Sequence, residues 1–223
     1  MVASLMSALP GSVAQGLIWG ILAIGEYITY KVLDFADLTV DGSLATGGAV
    51  AVMCMLNGAN TYVALILAFL AGMLAGLVTG LFHTALGIPP ILAGILTQLG
   101  LYSINMRIMG KANQAISVMQ YDVLVSLRYI PHACLLTTGF CIVIIALLYW
   151  FFGTEIGASV RATGCNPNMA RAQGINTNAT KVLGLVISNG LVGLAGALYA
   201  QYQGSADINM GRGAIVIGLA AVI

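Results

Sequence analysis

Charged side chains are scarce in this 223-residue sequence, and their scarcity excludes most classes of protein. Only 7% of the residues are charged, whereas soluble domains average roughly 25%. Eight basic and seven acidic residues cannot cover the surface of a soluble protein of this length. The formal charge of +1 provides no basic field for nucleic acid. A soluble enzyme, a nucleic-acid-binding protein and a disordered chain are therefore excluded, which leaves a polytopic membrane protein.

Several chemical motifs are also missing. No two of the four cysteines have C-x-x-C spacing, and no cluster of His and Cys indicates a metal site. No Lys or Arg precedes the first apolar stretch, so we expect no cleavable signal peptide. No G-x-x-x-x-G-K-[ST] occurs, so the chain lacks the loop that binds nucleotide phosphates. We therefore predict no catalytic, cofactor-binding or metal-binding residues.

What is present instead is a series of long windows without Asp, Glu, Lys or Arg: 1–25, 42–106, 129–154, 182–206 and 213–223. A helix needs about 20 apolar residues to cross the hydrocarbon core. The window 42–106 has room for three crossings, because turn signals at 57–60 and 87–90 divide it.

The windows predict an all-α protein, a polytopic transmembrane helical bundle with six complete spans and a truncated seventh. The predicted spans are 11–33, 42–56, 61–82, 88–106, 132–152 and 182–203. The seventh begins near Gly213 and reaches only to residue 223, so it is too short to cross the membrane. We therefore expect a single transmembrane domain, 1–223, with an incomplete C-terminus.

Glycines spaced four apart predict where the helices pack closely, because helix association in lipid relies on small residues. Gly72, Gly76 and Gly80 form one such face in the third span, and Gly16 and Gly20 form another in the first.

Residues 33–43 connect the first two spans and allow two interpretations. They form either a solvated loop or the irregular part of a broken helix that lines a cavity. The second interpretation accounts for the alternation of polar residues with Phe35, Leu38 and Val40, and for a following span of only about 15 residues.

Glu26 is the one clear acid inside a predicted span. A charge at a helix centre costs about 2.5–3.5 kcal/mol on insertion scales, so it should face the interior, a partner or water. It either lines a path, or sits near the interface or pairs with another helix. Polar residues beside short or broken spans are predicted to line a path: Glu26, Asp37, Thr39, Asp41, Ser43, Gln98 and Asn105.

Helix-ending and helix-capping residues in the polar stretch 153–181 predict two short helices that lie along one membrane face. The first is predicted over 156–163, ended by Gly164, and the second over 169–173, ended by Gly174. Asn166 is a typical N-cap, followed by Pro167 at the first helical position. The stretch is either a structured loop or a docking element for a soluble partner. A further amphipathic surface helix is predicted within 111–131.

Sequence motifs in this region resemble a known family. Residues 157–167 read GASVRATGCNP, with Ala170-Arg171 and Gly174-Ile175-Asn176 after them. They resemble the cytoplasmic coupling region of ABC importer permeases of the branched-chain-amino-acid and ribose type. The stretches 183–185 and 188–198 are similar to the helix that follows it in that family.

The resemblance implies a permease in a bacterial cytoplasmic membrane, surrounded by lipid and paired with a second copy. ABC ATPase subunits would use ATP on the cytoplasmic side, and an extracytoplasmic solute-binding protein would deliver the solute. The permease itself would need no cofactor, and its N-terminus would lie outside. The implied solute is an amino acid or a related compound, with a sugar or nucleoside as the second choice.

The resemblance also assigns residues to ATPase coupling within 153–181. They are Val160, Arg161, Ala162, Thr163, Gly164, Met169, Ala170, Arg171 and Gly174. Two other functions compete with the importer permease. An ion-coupled secondary transporter would need more in-span acids than Glu26, and an intramembrane hydrolase would need Ser159 beside His83 or His132.

Overall fold

The computed structural model describes residues 2–116, 123–125 and 130–223. Its helices are α1 (Val2–Tyr27) with a π-helical turn (Ile28–Val32), α2 (Val40–Leu56), α3 (Thr61–Thr84), α4 (Pro90–Met109), α5 (Ile130–Gly153), α6 (Glu155–Cys165), α7 (Pro167–Ala172), α8 (Thr177–Gln203) and α9 (Ala214–Val222). Two short strands, β1 (Asn113–Ala115) and β2 (Ser205–Asp207), pair antiparallel with Gln114 opposite Ala206.

Five segments within the described ranges are long and apolar enough to cross a membrane: Leu9–Val32, Thr61–Thr84, Pro90–Met109, Ala133–Gly153 and Thr177–Gln203. The all-α polytopic prediction is confirmed. Helix α2, with 17 residues, and α9, with 9, are apolar but shorter than a full crossing.

Helix α8 forms the centre of the bundle, and 72% of its apolar window is buried. The predicted glycine face of α3 packs against it. Gly72 lies on the carbonyl of Asn189 and Gly76 on that of Leu185, so closely that a Cβ at either glycine would overlap these backbone atoms. The glycine face predicted for α1 stays a prediction, because a Cβ at Gly16 or Gly20 would meet no described atom of this chain within 4 Å.

The chain between α1 and α2 is irregular, and every second residue of it is buried while Asp34 and Ala36 are exposed. Leu33, Phe35, Asp37 and Thr39 are each less than 5% exposed, and Asp34 adopts a positive φ of 51°. Asp37 bonds to Asn189, which lies near the middle of α8. The broken-helix interpretation therefore describes this segment, and α2 begins deep inside the bundle.

A second interruption follows α8. The helix ends at Gly204, which is left-handed with φ 73°, and β2 and turns lead to Gly213 before α9 begins. Gly211 lies against the backbone of Asp41, so this connection reaches the N-terminal end of α2. The two interruptions thus meet at one place.

The predicted surface helix within 111–131 is not present in the described residues of that stretch. Asn113–Ala115 form β1 instead, because their backbone groups pair with β2. Ile116 and Val125 are buried. Residues 117–122 and 126–129, with most of the predicted helix, lie outside the described residues.

Candidate functional site

A buried polar network holds the first interruption in place. The Asn189 side chain donates from Nδ2 to Asp37 Oδ2 at 2.6 Å, and Ser43 Oγ donates to Asn189 Oδ1 at 2.6 Å. The backbone N–H of Thr39 donates to Asp37 Oδ1 at 2.9 Å. One asparagine in α8 thus joins the irregular segment to the first turn of α2.

Three threonine hydroxyls extend this network across the neighbouring helices. Thr39 Oγ1 lies 2.7 Å from Thr79 Oγ1, which donates to Thr97 Oγ1 at 2.9 Å. All three side chains are buried. The start of α2 is therefore hydrogen-bonded to α3 and, through it, to α4.

Next to this network lies a cavity of about 380 Å³, a size that suits a small molecule. Its wall is formed by α2, α4 and the chain after β2: Asp41, Gly42, Ala45, Gln98, Leu99, Tyr102, Asn105, Ile208, Asn209 and Arg212. Three of the predicted path residues, Asp41, Gln98 and Asn105, meet on this wall. Asp37, Thr39 and Ser43 belong to the buried network beside it instead.

Asp41 connects the cavity to the second interruption. Its Oδ1 accepts the N–H of Ile215 at 3.0 Å, and its Oδ2 accepts that of Gly213 at 3.2 Å. The first N–H groups of a helix lack partners within the helix, and a carboxylate there is stabilised by the helix dipole. A side chain of α2 therefore caps α9.

Two residues near this site carry buried oxygens without partners in the described part of the chain. Asn105 is 1% exposed, and its Oδ1 accepts no hydrogen bond. A buried polar group without a partner costs about 1–3 kcal/mol of stability, so we expect this oxygen to have a function that offsets the cost. Glu26 is 2% exposed with both carboxyl oxygens unpartnered.

Glu26 does not line the cavity. Its carboxyl group contacts Gly218 of α9, where only a glycine leaves room for it. Glu26 thus lies against another helix, which is one of the predicted arrangements, and its carboxyl oxygens have no hydrogen-bond partner among the described residues. Its role in a path stays a prediction.

Sequence reasoning missed Tyr102, Asn209 and Arg212, which complete the cavity wall. The sequence signal that could have indicated these residues is the polar run between β2 and Gly213, which interrupts an otherwise apolar sequence. Arg212 is exposed, and its guanidinium has no hydrogen-bonded or ion-paired partner among the described residues.

The polar stretch 153–181 forms two short helices, as predicted, but the first is longer than expected. Thr154 caps α6, which runs through Gly164 to Cys165. Gly164 is not a turn residue: it is helical, and it packs against the carbonyl of Val32. Asn166 caps α7 by accepting the N–H groups of Asn168 and Met169, and Gly174 has the expected positive φ of 81°.

The coupling residues predicted here divide into two sets. Val160, Thr163 and Ala170 are at most 2% exposed, and Thr163 Oγ1 lies 2.8 Å from Thr180 Oγ1 at the start of α8. These three pack against the protein's own helices. Arg161, Ala162, Met169, Arg171 and Gly174 are exposed, Gly164 is half-buried, and the role of these residues in coupling stays a prediction.

The hydrolase alternative finds no support in this geometry. Ser159 Oγ donates to the carbonyl of Glu155, while His83 Nδ1 lies 2.8 Å from the carbonyl oxygen of Ile88. The other ring nitrogen of His83 lies 3.4 Å from Lys181 Nζ. His83 and Ser159 are therefore not arranged as a base and its nucleophile, and the side chain of His132 lies outside the described residues.

Comparison with known proteins identifies the family. The sequence model of one protein family, the branched-chain amino acid transport system permease component, matches residues 9–223. The chain belongs to this family. It is therefore a transport subunit rather than an enzyme and a multi-pass protein of the inner membrane, and the ion-coupled transporter and hydrolase alternatives are wrong. Family permeases work with ATPase and solute-binding-protein partners.

Named relatives in this family differ in solute. A tyrosine transport system permease protein of Clostridioides difficile is 42% identical over 98% of this chain and 72% of its own length. An autoinducer 2 import system permease protein of Yersinia pseudotuberculosis is 30% identical over 95% of this chain and 59% of its own. A nucleoside ABC transporter permease protein of Lactococcus lactis is 38% identical over 38% of this chain. No solved structure matches the chain.

Proposed function

We propose that the chain is the permease subunit of an ATP-driven importer of amino acids. The observation that carries the proposal is the cavity of about 380 Å³ at the meeting point of two interrupted helices. Transporters bind their solutes where helices are discontinuous, because irregular backbone is tolerated only in contact with protein or a wet path. The 42% identity with a tyrosine permease over nearly the whole chain favours an amino acid.

In this proposal two copies enclose the path, within lipid, and each forms six crossings with α9 opening a seventh. Helix α2 is the second crossing, completed by the irregular residues before it. The proposed path residues are Glu26, Asp37, Thr39, Asp41, Ser43, Gln98 and Asn105. ATP is used by the partner ATPase, so the permease holds no cofactor.

The stretch 153–181 is the proposed coupling region. Its position fits, because α8 separates α6 and α7 from β2 by 27 residues, roughly 40 Å of helix. With α6 and α7 facing the cytoplasm, β1 and β2 lie at the outer end, where a solute-binding protein docks.

The test is uptake by proteoliposomes that contain the permease, the ATPase and the binding protein encoded with it. The vesicles receive an equimolar mixture of the twenty amino acids, ribose and adenosine, and the lumen is analysed by mass spectrometry. ATP-dependent accumulation of one or more amino acids is expected. Accumulation of ribose or adenosine alone would contradict the proposal.

A further inference from the structure

We propose that the cavity is a recognition site in the permease itself for the ammonium and carboxylate groups of an amino acid. In this assignment, which rests on the proposed function, Asp41 and Asn105 receive the ammonium group and Arg212 receives the carboxylate. The site adds selection after delivery by the solute-binding protein.

The two charges on the cavity wall are kept apart. Arg212 and Asp41 both line the cavity, yet no ion pair joins them, and Arg212 has no other partner among the described residues. A guanidinium presents a planar fork of donors that matches a carboxylate. Arg212 is thus available for a negatively charged group in the cavity.

The opposite side of the wall is rich in acceptors. A carboxylate offers about four lone-pair directions, and Asp41 uses two of them for the N–H groups of Gly213 and Ile215. These two bonds fix the carboxylate in position and leave it able to accept more. Asn105 adds a buried side-chain oxygen that accepts no hydrogen bond from the described residues. An ammonium group supplies three donors, which the free lone pairs of the Asp41 carboxylate and the Asn105 oxygen would accept.

The remaining wall is suited to a side chain. Leu99 and Tyr102 are both exposed, at 64% and 44%, and line the same cavity. An uncharged sugar would leave Arg212 without a counter-charge, whereas an amino acid satisfies both ends of the cavity. The arrangement of the wall therefore favours a zwitterion with an apolar or aromatic side chain.

The experiment measures binding to the permease–ATPase complex in nanodiscs, without the binding protein. The probes are L-tyrosine, tyramine, which lacks the carboxylate, and 3-(4-hydroxyphenyl)propionate, which lacks the ammonium group. The wild-type complex should bind tyrosine more tightly than either analogue. Arg212→Gln should weaken tyrosine binding roughly 10- to 100-fold and remove its advantage over tyramine. Asn105→Leu should remove its advantage over the propionate.

Arg107→Gln is the matched control, since Arg107 is an exposed arginine of α4 that does not line the cavity. Arg212→Lys, which keeps the charge, should retain part of the affinity. Elution volume and thermal unfolding verify that each variant is folded and assembled.

Equal binding of the three probes by the wild type, or equal effects of Arg212→Gln and Arg107→Gln, would overturn the site assignment. If the complete importer still accumulates amino acids in that case, the proposed function stands. If the wild-type importer accumulates no amino acid, both the function and the site assignment fall.

Discussion

Asp37 and Asn189 decide how the bundle tolerates irregular backbone at its centre. Asn189 is fully buried and uses its side chain as both donor and acceptor, towards Asp37 and Ser43. The Asp37 carboxylate and the Ser43 hydroxyl thereby find a partner inside the protein, which the hydrocarbon core would not provide.

The network predicts a graded response to substitution. Asn189→Leu leaves both Asp37 and Ser43 without this partner, and should lower the free energy of unfolding by about 1–3 kcal/mol. Ser43→Ala removes one bond and should cost about 1 kcal/mol. Thermal unfolding in detergent, followed by size-exclusion chromatography, measures both. Equal melting temperatures for Asn189→Leu and wild type would contradict the role of this asparagine.

The glycines of α3 and α1 should respond with opposite sign. Gly76→Ala places a Cβ against the carbonyl of Leu185, and overpacking of this kind costs about 1–3 kcal/mol. Gly20→Ala meets no described atom within 4 Å and should stabilise by about 0.4–1 kcal/mol, because it restricts the unfolded chain. The same unfolding assay compares the two. A loss of stability in both variants would indicate that Gly20 has a packing role.

At the scale of helices, α9 depends on a residue far away in sequence. Asp41→Leu removes the cap of α9 and should destabilise its first turn by about 0.5–2 kcal/mol, the usual range for a lost cap. Hydrogen exchange of the amides of residues 213–217 should accelerate accordingly, while Asp41→Asn, which keeps an acceptor, should preserve most of the protection. Asp207→Asn, outside the cap, serves as control. Unchanged exchange in Asp41→Leu would show that α9 is held by packing alone.

The two faces of α6 and α7 separate coupling from structure. Ala162→Asp and Met169→Asp change exposed positions, so both variants should leave the fold intact. Each should reduce co-purification of the ATPase and solute-stimulated ATP hydrolysis at least about tenfold, because contacts at the centre of an interface carry most of its binding energy. Thr163→Val, which removes the bond to Thr180, should instead lower the melting temperature. Gly164→Val should also act on the fold, since Gly164 packs against Val32.

Normal assembly and hydrolysis in both aspartate variants would reduce the stretch 153–181 to a connecting loop. In that case the ATPase must bind elsewhere on the permease.

On the scale of the whole molecule, the proposal requires a second copy. Native mass spectrometry of the assembled importer should show two permease and two ATPase chains, and the ratio should persist when a tagged and an untagged permease are co-expressed. Co-purification of the untagged copy provides an independent measurement. A complex with a single copy of this chain would contradict the paired arrangement.

Patterns that are local in sequence were predictable. Helix length follows from the uncharged windows, Asn166 has the type and position of an N-cap, and Gly76 repeats at helical spacing. The site was predictable only in part, because it is assembled from distant residues. Asp37 was recognised as polar beside a short span, but nothing indicated Asn189 as its partner. Arg212 was not predicted, since its place on the cavity wall depends on the second interruption.

The distance along the chain between hydrogen-bonded residues determines how long each waits for its partner during synthesis. The partners of Asp37 and Asp41 follow them by 152 and 172 residues. A ribosome adds about 5–20 residues per second, so the first interruption exists for roughly 10–30 s before its partners have been made. During that interval residues 33–39 need water, the insertion machinery or a chaperone to satisfy their backbone. The N-terminal helices of this permease are therefore expected to remain under the protection of the translocon until α8 and α9 arrive.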